Sequence, residues 1–137
     1  MKPRYSLLKM RDVWIDAYMN GDVDQLNFVE SSHFFVKRGS RILTKSQQIS
    51  YIQRHLLEQT WCNFGLYVHD EITKISEKQQ WASFSGTGSM RRDGRILTTF
   101  DFLELWLIFD DRWQIAALCY DENDRESGIT ADQPNHE

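Results

Sequence analysis

The chain has 137 residues, 41% of them hydrophobic and five of them tryptophan, with a formal net charge of −4. That combination gives one domain with a buried core and excludes a wholly disordered chain. No early apolar run resembles a signal peptide and none is long enough to cross a membrane, so the expectation is a cytoplasmic protein without a membrane partner.

Residues 6 to 20 read as a helix. Leu7, Met10, Trp14 and Ala17/Tyr18 recur at helical spacing, with Leu8, Ile15 and Met19 widening the stripe. Gly21 is a natural terminator. Asp22 starts a short second helix, with Gln25 three residues on as in a capping box and Val23 and Leu26 on the apolar side. The stretch HFFVKRGSRIL (33–43) predicts a strand, a glycine turn and a second short strand. Thr44 then caps a third helix, with Gln47 in the reciprocal position and Ile49, Ile52 and Leu56 as the buried stripe.

From residue 60 the pattern is long strands. WCNFGLYVHDEITKI (61–75) alternates, with Leu66, Val68 and Ile72 on one face and Tyr67, His69, Glu71 and Thr73 on the other. WASFSGTGSM (81–90) is the next strand; its glycines lie between strands rather than before a helix, which reads as a bend or bulge and not a phosphate loop. The densest basic stretch, MRRDGR (90–95), contains the hairpin signal Asp93-Gly94 and reads as a solvated hairpin tip, not a nucleic-acid patch. FDFLELWLIF (100–109) follows, then a tight turn at Asp110-Asp111 and a last strand at 112–120. The domain is expected to span 1–122, with 123–137 a polar, mobile tail.

The order is therefore α, α, β, β, α and four long antiparallel strands: an α+β domain with its three helices on one face of a curved sheet. The last two strands are apolar on both faces. If the helices cover one face, the simplest cover for the other is a second copy of the chain, which predicts a homodimer through the sheet.

Cys62 and Cys119 do not make a disulfide framework and read as half-buried thiols in a reducing compartment. His33, His55, His69 and His136 never pair at helical spacing, so neither a metal nor another cofactor is expected. No nucleophile elbow or Ser-His-Asp order is present.

Three stretches together resemble the nuclear transport factor 2-like superfamily, the cone-shaped, cystatin-like fold that includes ketosteroid isomerase and the SnoaL-like cyclases. They are AYMNGDVDQL (17–26), FFVKRGSRILTKSQQI (34–49) and RWQIAALCYDEN (112–123), the last with Trp113 and Ile115 in a Trp-x-Ile spacing. The resemblance covers residues 5 to 122 in order. It implies a pocket between the first helix and the inward faces of the strands, with chemistry done by acids on those strands.

Glu104 is the first candidate. By alternation it shares a face with Phe100, Phe102, Trp106 and Ile108, while Asp101 faces the other way. An unpaired charge there would be too costly, so Glu104 pairs with a base, holds a proton at raised pKa, or faces a wet pocket. In ketosteroid isomerase, the handiest parallel, a strand acid stays neutral and donates a hydrogen bond to the oxyanion; counting back from the closing strand puts Glu104 at or beside that position, and counting forward from Gly94 puts Leu103 there. The isomerase's proton-shuttling carboxylate has no counterpart, because Lys37 or Arg38 takes its place. A cation cannot abstract a proton, so isomerisation of that type is disfavoured.

Tyr18 is expected to donate a hydrogen bond into the cone and His69 to serve as a general base, each against a core or surface alternative. Trp14, Phe35, Phe84, Phe102 and Trp106 are expected as an aromatic wall, which is also what a plain core looks like, and Lys37 as a basic contact for an anionic ligand. Two functions follow. One is a small-molecule-binding protein whose apolar pocket has a carboxylate floor, taking a small apolar or weakly acidic molecule, with cyclase, isomerase or dehydratase chemistry open. The other is a non-catalytic dimeric module with a filled cone, in which Glu104 is neutralised by Lys37, Arg38 or another base.

Overall fold

The computed structural model describes residues 3–61 and 66–123. Cys62 and the predicted tail beyond Asn123 lie outside the described residues. Three helices and six strands follow in the order α1 (Leu7–Asn20), α2 (Val23–Val29), β1 (Glu30–Arg38), β2 (Arg41–Thr44), α3 (Lys45–Leu57), β3 (Tyr67–Glu77), β4 (Trp81–Arg92), β5 (Arg95–Phe109) and β6 (Arg112–Asn123). They form an α+β domain with one sheet, ordered β2-β1-β6-β5-β4-β3.

Local chemistry sets the helix ends. The Ser6 hydroxyl accepts from the Lys9 amide, and Gly21 closes α1 in the left-handed conformation at φ 67°. The Asp22 side chain accepts from the Gln25 amide at the start of α2. Thr44 and Gln47 form a reciprocal capping box on α3. The two-residue turns at Asp93-Gly94 and Asp110-Asp111 have positive φ at both positions, the geometry that matches the right-handed twist of a hairpin.

The sheet is antiparallel except that β1 runs parallel to β6. β6 reaches Asn123 rather than stopping near residue 120, because Thr99, Phe100 and Asp101 continue to pair with Asn123, Glu122 and Asp121. Register shifts between Ile72 and Lys74, between Met90 and Arg91, and between Leu105 and Trp106 break the ladders and let the sheet curl. Gly86 lies opposite the first of these: a Cβ there would sit 2.1 Å from the Glu71 carbonyl oxygen. Of the glycines of SGTGS, Gly86 thus serves close backbone approach within the sheet, and Gly88 makes room for the Phe100 ring, 2.6 Å from where a Cβ would sit.

The core lies between the helices and the concave face of the sheet. Leu7, Met10, Trp14 and Ala17 of α1 join Leu26 and Val29 of α2, Ile52 of α3, and Phe34, Phe84, Phe102, Trp106 and Ile115 of the strands. Trp14 packs edge-on against both Phe34 and Trp106, each with ring centroids 6.2 Å apart. Along β5 the burial alternates: Phe102, Glu104 and Trp106 are buried, while Leu103 and Leu105 are exposed on the convex face.

Glu30, at the junction of α2 and β1, is only 2% exposed. Its Oε2 accepts from Trp14 Nε1 of α1 at 3.1 Å and its Oε1 from Gln48 Nε2 of α3 at 2.7 Å, so one carboxyl ties two helices to the sheet. Lys45 Nζ donates to its backbone carbonyl. Burial pushes the carboxyl up from 4.5 to about 7, against the opposing pull of the Trp14 and Gln48 hydrogen bonds and the Lys45 charge. A carboxyl with a raised folded pKa holds its proton more tightly in the folded chain. Its contribution to stability is full below about pH 4.5 and is lost as the pH rises through about 7. Wild type is therefore expected to lose up to about 3 kcal/mol from this group between those limits, and Glu30→Gln to lose that slope. Urea unfolding across a pH series on both proteins checks this; parallel profiles would remove Glu30 as the source.

Candidate functional site

A cavity of about 360 Å³ opens between α1 and the concave face of the sheet. Arg11, Trp14, Ile15 and Tyr18 line it from α1, at a spacing that stacks them along one face of the helix. Val36 and Arg38 of β1, Val68 and Asp70 of β3, and Met90 of β4 line it from the sheet. Phe100, Phe102 and Glu104 of β5 and Leu118, Tyr120 and Glu122 of β6 line it too, as does Gln48 of α3. The alternation of each strand explains the set: every second residue points inward.

Glu104 does not stand alone. Arg11 Nε donates to its Oε1 and Arg11 Nη2 to its Oε2, both at 2.7 Å, a bidentate fork. Trp106 Nε1 adds a third donor to Oε1 at 3.0 Å. Arg11 Nη1 reaches on to Asp70 Oδ2 at 3.0 Å. The guanidinium also lies 5.0 Å from the centroid of the Phe84 ring and 5.4 Å from that of Phe102. Burial acts to lower the Arg11 pKa, but Glu104 and Asp70 together carry it above its ordinary value. One cation is thus held between two carboxylates at the closed end of the cavity.

Of the three outcomes open to Glu104, the structure shows the pairing with a base. Every hydrogen bond it makes to a described residue is accepted: two from Arg11 and one from Trp106. Its base is Arg11, not Lys37 or Arg38. Lys37 Nζ turns back to the Gly39 carbonyl, and Arg38 Nη2 pairs with Glu122 Oε1 at 2.8 Å. The reason is placement: α1 presents Arg11 to the cavity beside Glu104, whereas Phe35 and Lys37 alternate out of the cavity on β1.

The other expected residues divide. Trp14, Tyr18 and Phe102 line the cavity. Tyr18 packs edge-on against Trp61 at 5.9 Å. Phe84 and Trp106 are fully buried behind the lining, under Arg11 and Glu104 respectively. His69 is exposed, between Val68 and Asp70, which are the β3 residues that do face the cavity, so it is not placed to act as a base there. Phe35 is outside the lining.

The residues missed by sequence reasoning are Arg11 and Asp70. Each carried a signal. Arg11 lies four residues after Leu7, three before Trp14 and seven before Tyr18, a charge set within the helical stripe. Asp70 shares the parity of Val68 and Ile72. At the opposite end of the cavity Tyr120 has its pKa raised by burial, which keeps the phenol neutral, with Arg38 and Glu122 acting in opposite senses. Among the described residues no group of three or more metal-ligating side chains occurs.

No protein-family model matches the chain, and no curated protein sequence does. Solved structures match over nearly its whole length. A nuclear transport factor 2-like protein from Cytophaga hutchinsonii aligns at a TM-score of 0.66 and 17% identity, over 90% of this chain and 100% of that one. A domain of unknown function with a cystatin-like fold from Nostoc punctiforme aligns at 0.66 and 15%, over 90% and 80%. A ketosteroid isomerase-like protein from Erwinia carotovora atroseptica aligns at 0.59 and 12%, over 85% and 92%. The chain has the nuclear transport factor 2-like cone fold.

The Arg11–Glu104 pair is 7% and 3% exposed at its side chains, so removing one partner strands a buried charge. Arg11→Met is expected to cost about 3–5 kcal/mol. Combining it with Glu104→Leu is expected to cost less than the two single changes added, with a coupling of about 1–3 kcal/mol. A double-mutant cycle by chemical denaturation measures this, and strict additivity would rule out the pair as the source of the cost.

Proposed function

We propose that the chain is a binding protein for a small, largely apolar molecule, held in the cone between α1 and the sheet. The observation that carries the reading is the cavity itself: about 360 Å³, with aromatic and aliphatic walls and a carboxylate–arginine–carboxylate group at one end. Ligand sites have this character, a mostly apolar concavity with few placed polar groups. A plain core would have filled the space with side chains.

Binding ranks ahead of catalysis in this reading. An isomerase, cyclase or dehydratase of the acid–base type needs a proton donor and an acceptor on the reacting atoms. Glu104 is committed to Arg11, and the carboxylate with an acceptor oxygen to spare beside that pair is Asp70. The support from the ketosteroid isomerase-like neighbour is support for the scaffold alone. A bound ligand at roughly a hundred times its dissociation constant should raise stability by about 2.7 kcal/mol. A thermal-shift screen of apolar small molecules is expected to find such a ligand for wild type. Leu118→Trp, which puts bulk into the cavity wall, is expected to melt cooperatively and lose the shift. Hits that survive Leu118→Trp would place binding elsewhere, and the absence of any hit on wild type would favour the module with an idle cone.

We also propose that a second copy of the chain covers the convex face. Leu103 and Leu105 are 49% and 37% exposed there, and their β6 neighbours are the small Cys119 and Ala117, which makes a continuous apolar strip. Asp101 and Asp121 sit directly opposite one another at its end, a like-charge pair that a cation from a second copy would relieve. Sedimentation equilibrium is expected to give a dimer for wild type and a monomer for Leu105→Asp; a wild-type monomer at micromolar concentration would sink this proposal.

A further inference from the structure

We propose that the cavity selects an organic cation: a protonated amine on an apolar body, with the ammonium group seated at Asp70. This rests on the reading of the cone as a ligand site and names the class of molecule it takes. Four observations lead to it.

The first is charge balance. The cavity lining carries two cations, Arg11 and Arg38, and three carboxylates, Asp70, Glu104 and Glu122, which leaves one negative charge uncompensated. The second is where that charge resides. Arg38 and Glu122 pair with each other toward the solvent side, their side chains 52% and 33% exposed. At the closed end Arg11 meets two carboxylates and can neutralise one. Its bidentate fork is on Glu104, so the excess charge belongs to Asp70.

The third is acceptor capacity. Glu104 accepts three hydrogen bonds, and Asp70 accepts one, through Oδ2, from Arg11. Among the described residues Oδ1 receives no donor. The Asp70 side chain is 19% exposed and lines the cavity, so a donor entering the cone can reach it. An ammonium N–H supplies a charge-assisted hydrogen bond at that oxygen. The fourth is the wall. Trp14, Tyr18, Phe100, Phe102 and Tyr120 present aromatic surface to the same space, and ring faces attract organic cations.

The same facts disfavour an acidic ligand. The expectation of one rested on a basic group at Lys37 or Arg38; Lys37 is turned away to the Gly39 carbonyl, and Arg38 lines the cavity but is paired with Glu122. Arg11 already has its single charge set against two carboxylates, Glu104 and Asp70, so a third anion would gain little from it. A carboxylate entering the cone would meet net negative charge in a space of low dielectric.

The test uses three molecules of one shape, 2-naphthylmethylamine, 2-naphthylmethanol and 2-naphthoate, titrated into the full chain by calorimetry at neutral pH. The amine is expected to bind about tenfold or more tightly than the alcohol, since both can donate to the Asp70 carboxylate but only the ammonium brings an opposite charge to it. The naphthoate is expected to bind more weakly than the alcohol. Raising the salt concentration should erode the amine's advantage on wild type. In Asp70→Asn the ratio of amine to alcohol affinity should fall to about one, and measurable alcohol binding there shows that the variant keeps a folded cavity. Alcohol binding as tight as the amine's, or naphthoate binding tightest, would overturn the inference and leave the ligand site intact. An amine preference that survives Asp70→Asn would overturn it too. If none of the three binds wild type, both the inference and the reading beneath it fall.

Discussion

Arg11 is one cation shared by two buried or half-buried carboxylates on different strands, and the upper half of the cone depends on it. The guanidinium is a rigid planar fork, so a bidentate bond to Glu104 fixes both its position and its plane. With the plane set, Nη1 points at Asp70, on the far edge strand of the sheet. The ring of Phe84 supports the group from the protein side. α1 is thereby tied to β5 and β3 at one point. A turn further along, Trp14 ties the same helix to Glu30, and through Glu30 to α3. Arg11, Trp14 and Gln48 also line the cavity, so the polar ties that anchor the helices are part of the wall they enclose.

Such a pair is not a cheap way to stabilise a domain. Two buried charges lose their hydration, and well-packed apolar residues of similar volume often serve stability as well or better. What the pair supplies is definition. It engages both oxygens of Glu104 and one oxygen of Asp70. The family resemblance pointed to the β5 acid as the working group. Fold neighbours at 12–17% identity share the cone, and a cone does not dictate which of its acids acts.

β5 shows how one strand serves two surfaces. Its inward residues, Phe102, Glu104 and Trp106, build the core and the floor of the cavity, and its outward residues, Leu103 and Leu105, make an apolar strip on the convex face. The strand looked anomalous because carboxylates stood in an apolar run. Read with a period of two, Asp101 lies outside at the end of the strip and Glu104 lies inside beneath an arginine. Neither carboxylate breaks the strand, because each finds its charge an outlet on its own face.

The elements of this fold were legible because the forces that shape them are local. Gly21, Thr44 with Gln47, and Asp93-Gly94 end or begin elements through contacts within four residues, and the apolar periods of 3.6 and 2 report which face of each is buried. By itself, then, the sequence determined the element order, the α+β cone and the inward face of β5, together with the fact that Glu104 needed a partner. The identity of that partner was decided only by tertiary structure. Arg11 lies 93 residues from Glu104 and 59 from Asp70, and nothing within a helix or a strand encodes which element will lie across from it. The same holds for His69, Phe35 and Lys37, which have the right chemistry and stand on the outer side of their strands. Helix-over-sheet placement, a property of the packed whole, brings Arg11, Glu104 and Asp70 to one end of a cavity.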